Sequence, residues 1–137
     1  MKHILLSIHP VFASAIIARI KLYEFRKKFP VDYSGRVYVY ATNPIKKIIG
    51  YFKTRMIEKD STESLFAKYG AFSSISKVDF FIYYGEMAQG IVIHIGDVIG
   101  FHYGVNPLDF SIKPPQNYRF LSDEQIQKID AKGETNA

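Results

Sequence analysis

The chain contains no cysteine. Disulfides, thiolate nucleophiles and Cys-based zinc sites are therefore excluded. Long apolar runs are also missing: none comes near the ~20 residues that a bilayer-spanning helix needs. The apolar segment at the N-terminus, Ile4-Leu5-Leu6, soon meets Ser7, His9 and Pro10 and is too short for a secretory signal. The expectation is a soluble, cytoplasmic protein. No internal repeat and no low-complexity linker divides the sequence. No Gly-Lys-Ser/Thr follows its glycine-containing stretches, so no phosphate loop is expected. The four histidines (His3, His9, His94, His102) have neither His-x-His nor His-x-x-x-His spacing, and no metal or other cofactor is expected. Ser7 has no readable His-Asp constellation, which argues against a serine hydrolase.

What remains is one domain's worth of chain. Its 137 residues are 47% hydrophobic and 15% aromatic, enough for a self-sufficient core and against disorder. The net charge of +5 is unevenly spread: residues 1–60 hold twelve Lys/Arg against four acids, net +8, while residues 61–137 hold six against nine, net −3. A basic half of this kind suits an anionic partner, nucleic acid being the commonest; a solvated basic face with no partner is the plain alternative.

Apolar periodicity and turn residues predict the elements. Residues 3–8 read as a strand. Pro10 opens a helix over about 10–19, with Phe12, Ala13, Ile16 and Ile17 recurring at helical spacing. Residues 21–26 read as a strand with Leu22, Glu24 and Arg26 on one face and Lys21, Tyr23 and Phe25 on the other. Arg36-Val37-Tyr38-Val39-Tyr40-Ala41-Thr42 is apolar on both faces, as a central strand is. Residues 46–56 continue as a strand with a bulge or bend at Gly50. A helix from Ser61 is capped by Gly70, and a second follows Ser76-Lys77-Val78-Asp79 and ends at Gly85. Residues 89–95 and 98–103 are expected to pair across Gly96-Asp97. Ser122-Asp123-Glu124-Gln125 starts a short helix through Ile126 and Ile129, with residues 131–137 fraying. Five or six strands with short helices and no βαβ rhythm point to an α+β protein: a small mixed β-barrel with short covering helices. The expected division is one domain over 1–121 and a C-terminal helix and tail over 122–137.

Several of these pieces resemble one family. Ile4-Leu5-Leu6-Ser7-Ile8-His9-Pro10, the helix after it and Lys21-Leu22-Tyr23-Glu24-Phe25-Arg26 are similar to the start of an ASCH domain, a PUA-like barrel whose usual wording there is Gly-x-Lys-x-x-Glu-x-Arg. Arg36 to Pro44 with Lys47-Ile48-Ile49-Gly50 resembles the family's central hairpin. Phe80 to Gly85 with Gly90-Ile91-Val92-Ile93 resembles its helix and closing strand, and residues 114–120 the ending of a prokaryotic branch. The likeness covers about residues 4–121. Ala18 or Arg19 stands near the family's usual glycine.

The resemblance implies a cleft beside the first helix that accepts RNA or a nucleotide. The residues themselves point the same way. The helix start after Ser7 and His9 offers free N–H groups. Arg26, Lys27 and Lys28 cluster, with Lys46 and Lys47 at the next hairpin. Tyr23, Tyr38, Tyr40 and Tyr118 are aromatic candidates for base stacking, with barrel packing as the structural alternative for Tyr38 and Tyr40. Gln116 and Arg119, beside Tyr118, suit base edges. Glu24 reads either as an ion-pair partner of Lys21 or Arg26 or as a carboxylate for a base N–H or a proton. Two functions follow: an RNA- or nucleotide-binding module in translation or transcription control, or an enzyme. For the enzyme, the resemblance implies either an amidohydrolase acting on acetylated cytidine or a ribonuclease, with Lys21 and Glu24 as the catalytic pair. The amidohydrolase pattern has a Thr nucleophile where Glu24 stands. Lys21 and Glu24 meet only if the strand bends near Lys21. A protein partner is not indicated.

Overall fold

The computed structural model describes residues 2–134. Six strands, β1 (His3–Ile8), β2 (Tyr23–Arg26), β3 (Arg36–Ala41), β4 (Lys47–Ser61), β5 (Gln89–Val105) and β6 (Tyr118–Leu121), form one sheet in the order β2-β5-β4-β3-β1-β6. β1 runs parallel to β3, and the other pairs are antiparallel. The helices are α1 (Pro10–Ile17), α2 (Thr62–Tyr69), α3 (Lys77–Tyr84) and α4 (Asp123–Glu134). The α+β class is as expected. The small barrel is not closed: the edge strands β2 and β6 share no backbone ladder, and side chains bridge the gap between them instead.

Both faces of the sheet are covered, so the central strands are apolar on both sides. On one face Ile4, Leu6 and Ile8 of β1 join Val37, Val39, Phe52 and Ile93 under Ala13 and Ile16 of α1. On the other, Leu5, Tyr38, Tyr40 and Tyr51 pack under Ile126 and Ile129 of α4. Burying each such aliphatic side chain is worth about 1.5–3 kcal/mol. A third cluster holds the β2–β5 end: Phe25 and Val92 meet Leu65 of α2 and Phe80 and Tyr84 of α3.

Local chemistry sets the helix ends. The Ser61 hydroxyl accepts from the Ser64 N–H at 3.1 Å and the Ser76 hydroxyl from the Asp79 N–H at 3.1 Å. Ser122 and Gln125 form a reciprocal capping box, at 2.9 and 3.2 Å. Gly85, at φ +59°, stops α3 in the left-handed region. Gly70 does not: its φ of −60° continues α2 into a 3₁₀ turn, Gly70–Phe72.

Several boundaries differ from the pattern-based expectation. Residues 89–105 form one unbroken strand rather than a hairpin, because β4 is long enough to pair along its whole length and Gly96-Asp97 is carried through by register shifts. β4 itself extends to Ser61. α4 continues to Glu134, since Asp130 is tied to β3; residues 135–137 lie outside the described residues. The bulge expected at Gly50 is present, as a register shift against both neighbouring strands.

Candidate functional site

The site begins with a boundary. β2 starts at Tyr23, so Lys21 precedes the strand and is released from its alternation. The chain turns there through Arg19, at φ +62°, and the Ile20 and Lys21 N–H groups both donate to the Ala15 carbonyl. Lys21 thereby swings to the same side as Glu24, and its Nζ stands 3.4 Å from Glu24 Oε1. The Nζ also donates to the Ser73 carbonyl and lies 4.8 Å from the Phe12 ring centroid. Its exposure is 2%. Burial pulls the Lys21 pKa below the ordinary lysine value, with Glu24 opposing the shift.

Glu24 and Arg26 alternate normally on β2 and face inward together, while Tyr23 and Phe25 turn toward the α2–α3 cluster. Glu24 Oε2 accepts from Arg26 Nη1 at 3.1 Å. The same nitrogen reaches the Ser7 carbonyl on β1 at 3.3 Å, and Nη2 donates to Asn117 Oδ1 just before β6. Arg26 thus spans the unclosed seam of the sheet. Its Nε is buried and has no hydrogen-bond partner among the described residues. The seam is secured from both sides. Ser7 Oγ donates to the Pro115 carbonyl at 2.6 Å and Asn117 Nδ2 to the Lys28 carbonyl at 3.2 Å. The Tyr84 hydroxyl donates to the Arg26 carbonyl at 2.9 Å. Gly90 admits the Tyr84 ring: a Cβ there would lie 2.5 Å from two of its atoms.

Beside this row of charges opens a hollow of about 200 Å³. Lys21, Glu24 and Arg26 form its polar wall, and Ile8, Phe12, Ile75 and Tyr83 its apolar one. His9 completes the rim; its Nδ1 accepts from the Val11 N–H at 3.4 Å. A cationic row opposite aromatic rings can hold a phosphate and a base at once. A carboxylate between two cations can also take a proton from a hydroxyl.

The structure brings together Lys21, Glu24, Arg26, His9 and, through its backbone, Ser7. The remaining candidates lie elsewhere. Lys27 does not line the hollow; its Nζ stands 4.9 Å from the centroid of the Tyr83 ring. Lys28 is exposed. Tyr23 stacks with Tyr69 and His94, at 4.7 and 5.2 Å between centroids. Tyr118 packs on Phe29 at 5.4 Å, and Arg119 Nη1 donates to the Lys113 carbonyl at 3.2 Å. Gln116 is exposed beside the seam. Lys46 is exposed at the hairpin before β4, and Lys47 lines a separate hollow with Tyr103 and Phe110. Tyr38 and Tyr40 are core residues. Phe12, Tyr83 and Asn117 escaped the sequence reading as site residues. Asn117 had a signal, the polar run 116–119; Phe12 and Tyr83 resemble ordinary core aromatics in sequence. Among the described residues no group of three or more His, Asp or Glu is placed to hold a metal ion.

No protein-family model matches the chain. An ASCH domain-containing ribonuclease of Zymomonas mobilis is 27% identical over 137 residues, covering 93% of this chain and 90% of that protein. The crystal structure of ASCH from Zymomonas mobilis superposes with a TM-score of 0.89 at 25% identity, covering 95% of this chain and 94% of the other. In sequence and in fold the chain is similar to an ASCH domain over nearly its whole length. A more distant likeness of fold joins this chain to human THYN1, solved in complex with 5-methylcytosine-containing DNA, at a TM-score of 0.60 and 11% identity. No helix among its described residues is long and apolar enough to cross a membrane.

Proposed function

We propose that this chain is an ASCH domain that binds single-stranded RNA at the β-sheet seam and cleaves it. The observation that carries the reading is the row Lys21–Glu24–Arg26 along a hollow of about 200 Å³ with an aromatic wall, where Arg26 Nε has no partner among the described residues. The Zymomonas relative, a ribonuclease by name, supports the activity. In this reading a nucleotide's base lies against Phe12 and Tyr83, and Arg26 holds its phosphate. The Glu24 carboxylate takes the proton of the ribose 2′-hydroxyl, whose oxygen attacks the adjacent phosphorus. A new O2′–P bond forms and the P–O5′ bond breaks. Lys21, made a better acid by burial, gives its proton to the departing 5′-oxygen. The products are a 2′,3′-cyclic phosphate and a 5′-hydroxyl. The seat of this activity would be the cytoplasm.

Acetylcytidine hydrolysis is less well supported. Among the described residues no serine or threonine lines the hollow, and Glu24 as a nucleophile would give a mixed anhydride. The test is incubation of single-stranded RNA with wild type, Glu24→Gln and Lys21→Met, followed by analysis of the chain ends. Cyclic phosphate ends from wild type alone are expected. Tight binding with no cleavage would leave a binding module and remove the enzyme. Acetate release from acetylcytidine would replace the ribonuclease with the amidohydrolase.

A further inference from the structure

A second hollow, of about 570 Å³, lies beyond Lys21. Lys21 and Leu22 line its near wall, and Lys21 also lines the seam hollow, so one residue separates the two. The far wall comes from β4 and β5. Lys53 and Arg55, two residues apart, project from one side of β4. Arg19 enters from the turn after α1, and its guanidinium is fixed by donation to the Val98 carbonyl at 2.8 Å.

The charge count of this groove is one-sided. Lys21 is answered by Glu24, and Arg36, at the rim, by Asp130. Arg19, Lys53 and Arg55 have no carboxylate within ion-pair distance among the described residues, and all three are exposed. Asp97 is the acid among the lining residues. Three free cations against one acid leave an excess of +2 in a concave surface whose floor includes Ile95 and Val98. Low-dielectric walls focus such a field outward. A folded protein gains nothing from gathering unpaired like charges in one hollow; a polyanion lying there does.

We infer that this groove carries the backbone phosphates of the nucleotides flanking the one in the seam, so that the substrate is an oligonucleotide strand and not a free nucleotide. The inference rests on the seam being the nucleotide site. Arg19 is the preorganised contact, and Lys53 and Arg55 follow the strand as it leaves Lys21. Their spacing on a strand, about 6–7 Å for two residues, matches the step between successive phosphates.

The test uses the full chain and two probes: uridine monophosphate, and a 2′-O-methyl oligouridine of about ten nucleotides, which cannot be cleaved by 2′-hydroxyl attack. The groove variant is Lys53→Gln/Arg55→Gln. The control, Lys128→Gln/Lys132→Gln, removes the same charge from α4. The groove variant is expected to bind the oligonucleotide at least tenfold more weakly and to flatten its salt dependence by about 1.4 in d log K/d log[salt], two contacts at ~0.7 each. Its affinity for the mononucleotide and the control's affinity for both probes should stay at wild-type values. Equal losses in the groove variant and the control would reduce the effect to net charge and overturn the inference. So would unchanged oligonucleotide binding in the groove variant. Arg26→Gln separates the two claims. If it loses both probes while the groove variant keeps both, the seam stands and the groove fails. If it loses neither while the groove variant loses the oligonucleotide, the seam assignment fails and the groove is the principal site.

Discussion

Two arginine–carboxylate pairs of nearly equal length do opposite things in this fold. Arg26 and Glu24 approach to 3.1 Å, and Arg36 and Asp130 to 3.2 Å. At the second pair both carboxylate oxygens are engaged. Asp130 takes Arg36 on one oxygen and the Tyr38 hydroxyl on the other, at 2.8 Å, and the guanidinium lies 4.4 Å over the Tyr51 ring. That arrangement joins α4 to β3 and, among the described residues, leaves none of its buried side-chain polar atoms without a partner. At the first pair Glu24 is shared between two cations, the Arg26 Nε is unpartnered, and a hollow adjoins both. Distance does not separate a brace from a site here. What separates them is whether the hydrogen-bonding capacity of the buried atoms is met inside the protein.

Substitutions sharpen that contrast. The largest effect is expected at Glu24. Glu24→Gln keeps the shape and should lower the cleavage rate by about 10²–10⁴-fold, measured on single-stranded RNA. Glu24→Ala should in addition cost about 3–5 kcal/mol in urea denaturation, because two buried cations lose their carboxylate. A cleavage rate in Glu24→Gln near that of wild type would make the seam pair a brace like its counterpart.

Asp130→Ala should show the reverse profile. It leaves the O–H of the buried Tyr38 without its acceptor, while the hydroxyl oxygen still accepts from Arg36, and is expected to cost about 1–3 kcal/mol of stability. Mononucleotide affinity should not change. A large loss of that affinity at normal stability would erase the distinction between the two pairs.

The pH profile gives a finer measure. Lys21 acts as an acid and must be protonated, and burial lowers its pKa from the ordinary 10.5. Cleavage should therefore fall on the alkaline side before a free lysine would lose its proton. Lys21→Arg should move that limb to higher pH while lowering the rate. A limb that stays in place assigns the acid to another group.

The smallest effect concerns stability in alkali. Burial pushes the Tyr33 hydroxyl up to about 12, and those of Tyr38 and Tyr84 upward as well. Their neutral forms are favoured in the folded state. The stabilisation is complete below the unfolded value near 10 and is lost as pH rises through the folded values. Ultraviolet titration should show tyrosines ionising late and together with unfolding, and Tyr33→Phe should remove one of them. Full ionisation near pH 10 in folded protein would contradict the burial of these rings.

How far the sequence carried depended on the range of the interaction. Helix starts at Ser61, Ser76 and Ser122 were legible because a cap is decided within four residues. The central strand over Arg36–Ala41 was legible from its β-branched and aromatic run. The role of Gly96-Asp97 was misread: a Gly-Asp pair favours a turn locally, but here a long partner strand overrides it. Tyr23 and Tyr118 looked like stacking residues because charges flank them in sequence. Strand alternation and the packing of Phe29 send them elsewhere.

By itself the sequence determined most of the elements, the cation-rich first half and the presence of Lys21, Glu24 and Arg26 within six positions, since these follow from composition and short-range periodicity. Only the tertiary structure decided that Lys21 leaves the strand and meets Glu24. It likewise brought Ser7 and Asn117, 19 and 91 residues from Arg26, to one guanidinium, and gathered Arg19, Lys53 and Arg55 into one groove. The physical reason is that such meetings are fixed by strand order and by where the sheet stays open. These are settled by the burial of three apolar clusters at once, a quantity no local window of the chain contains.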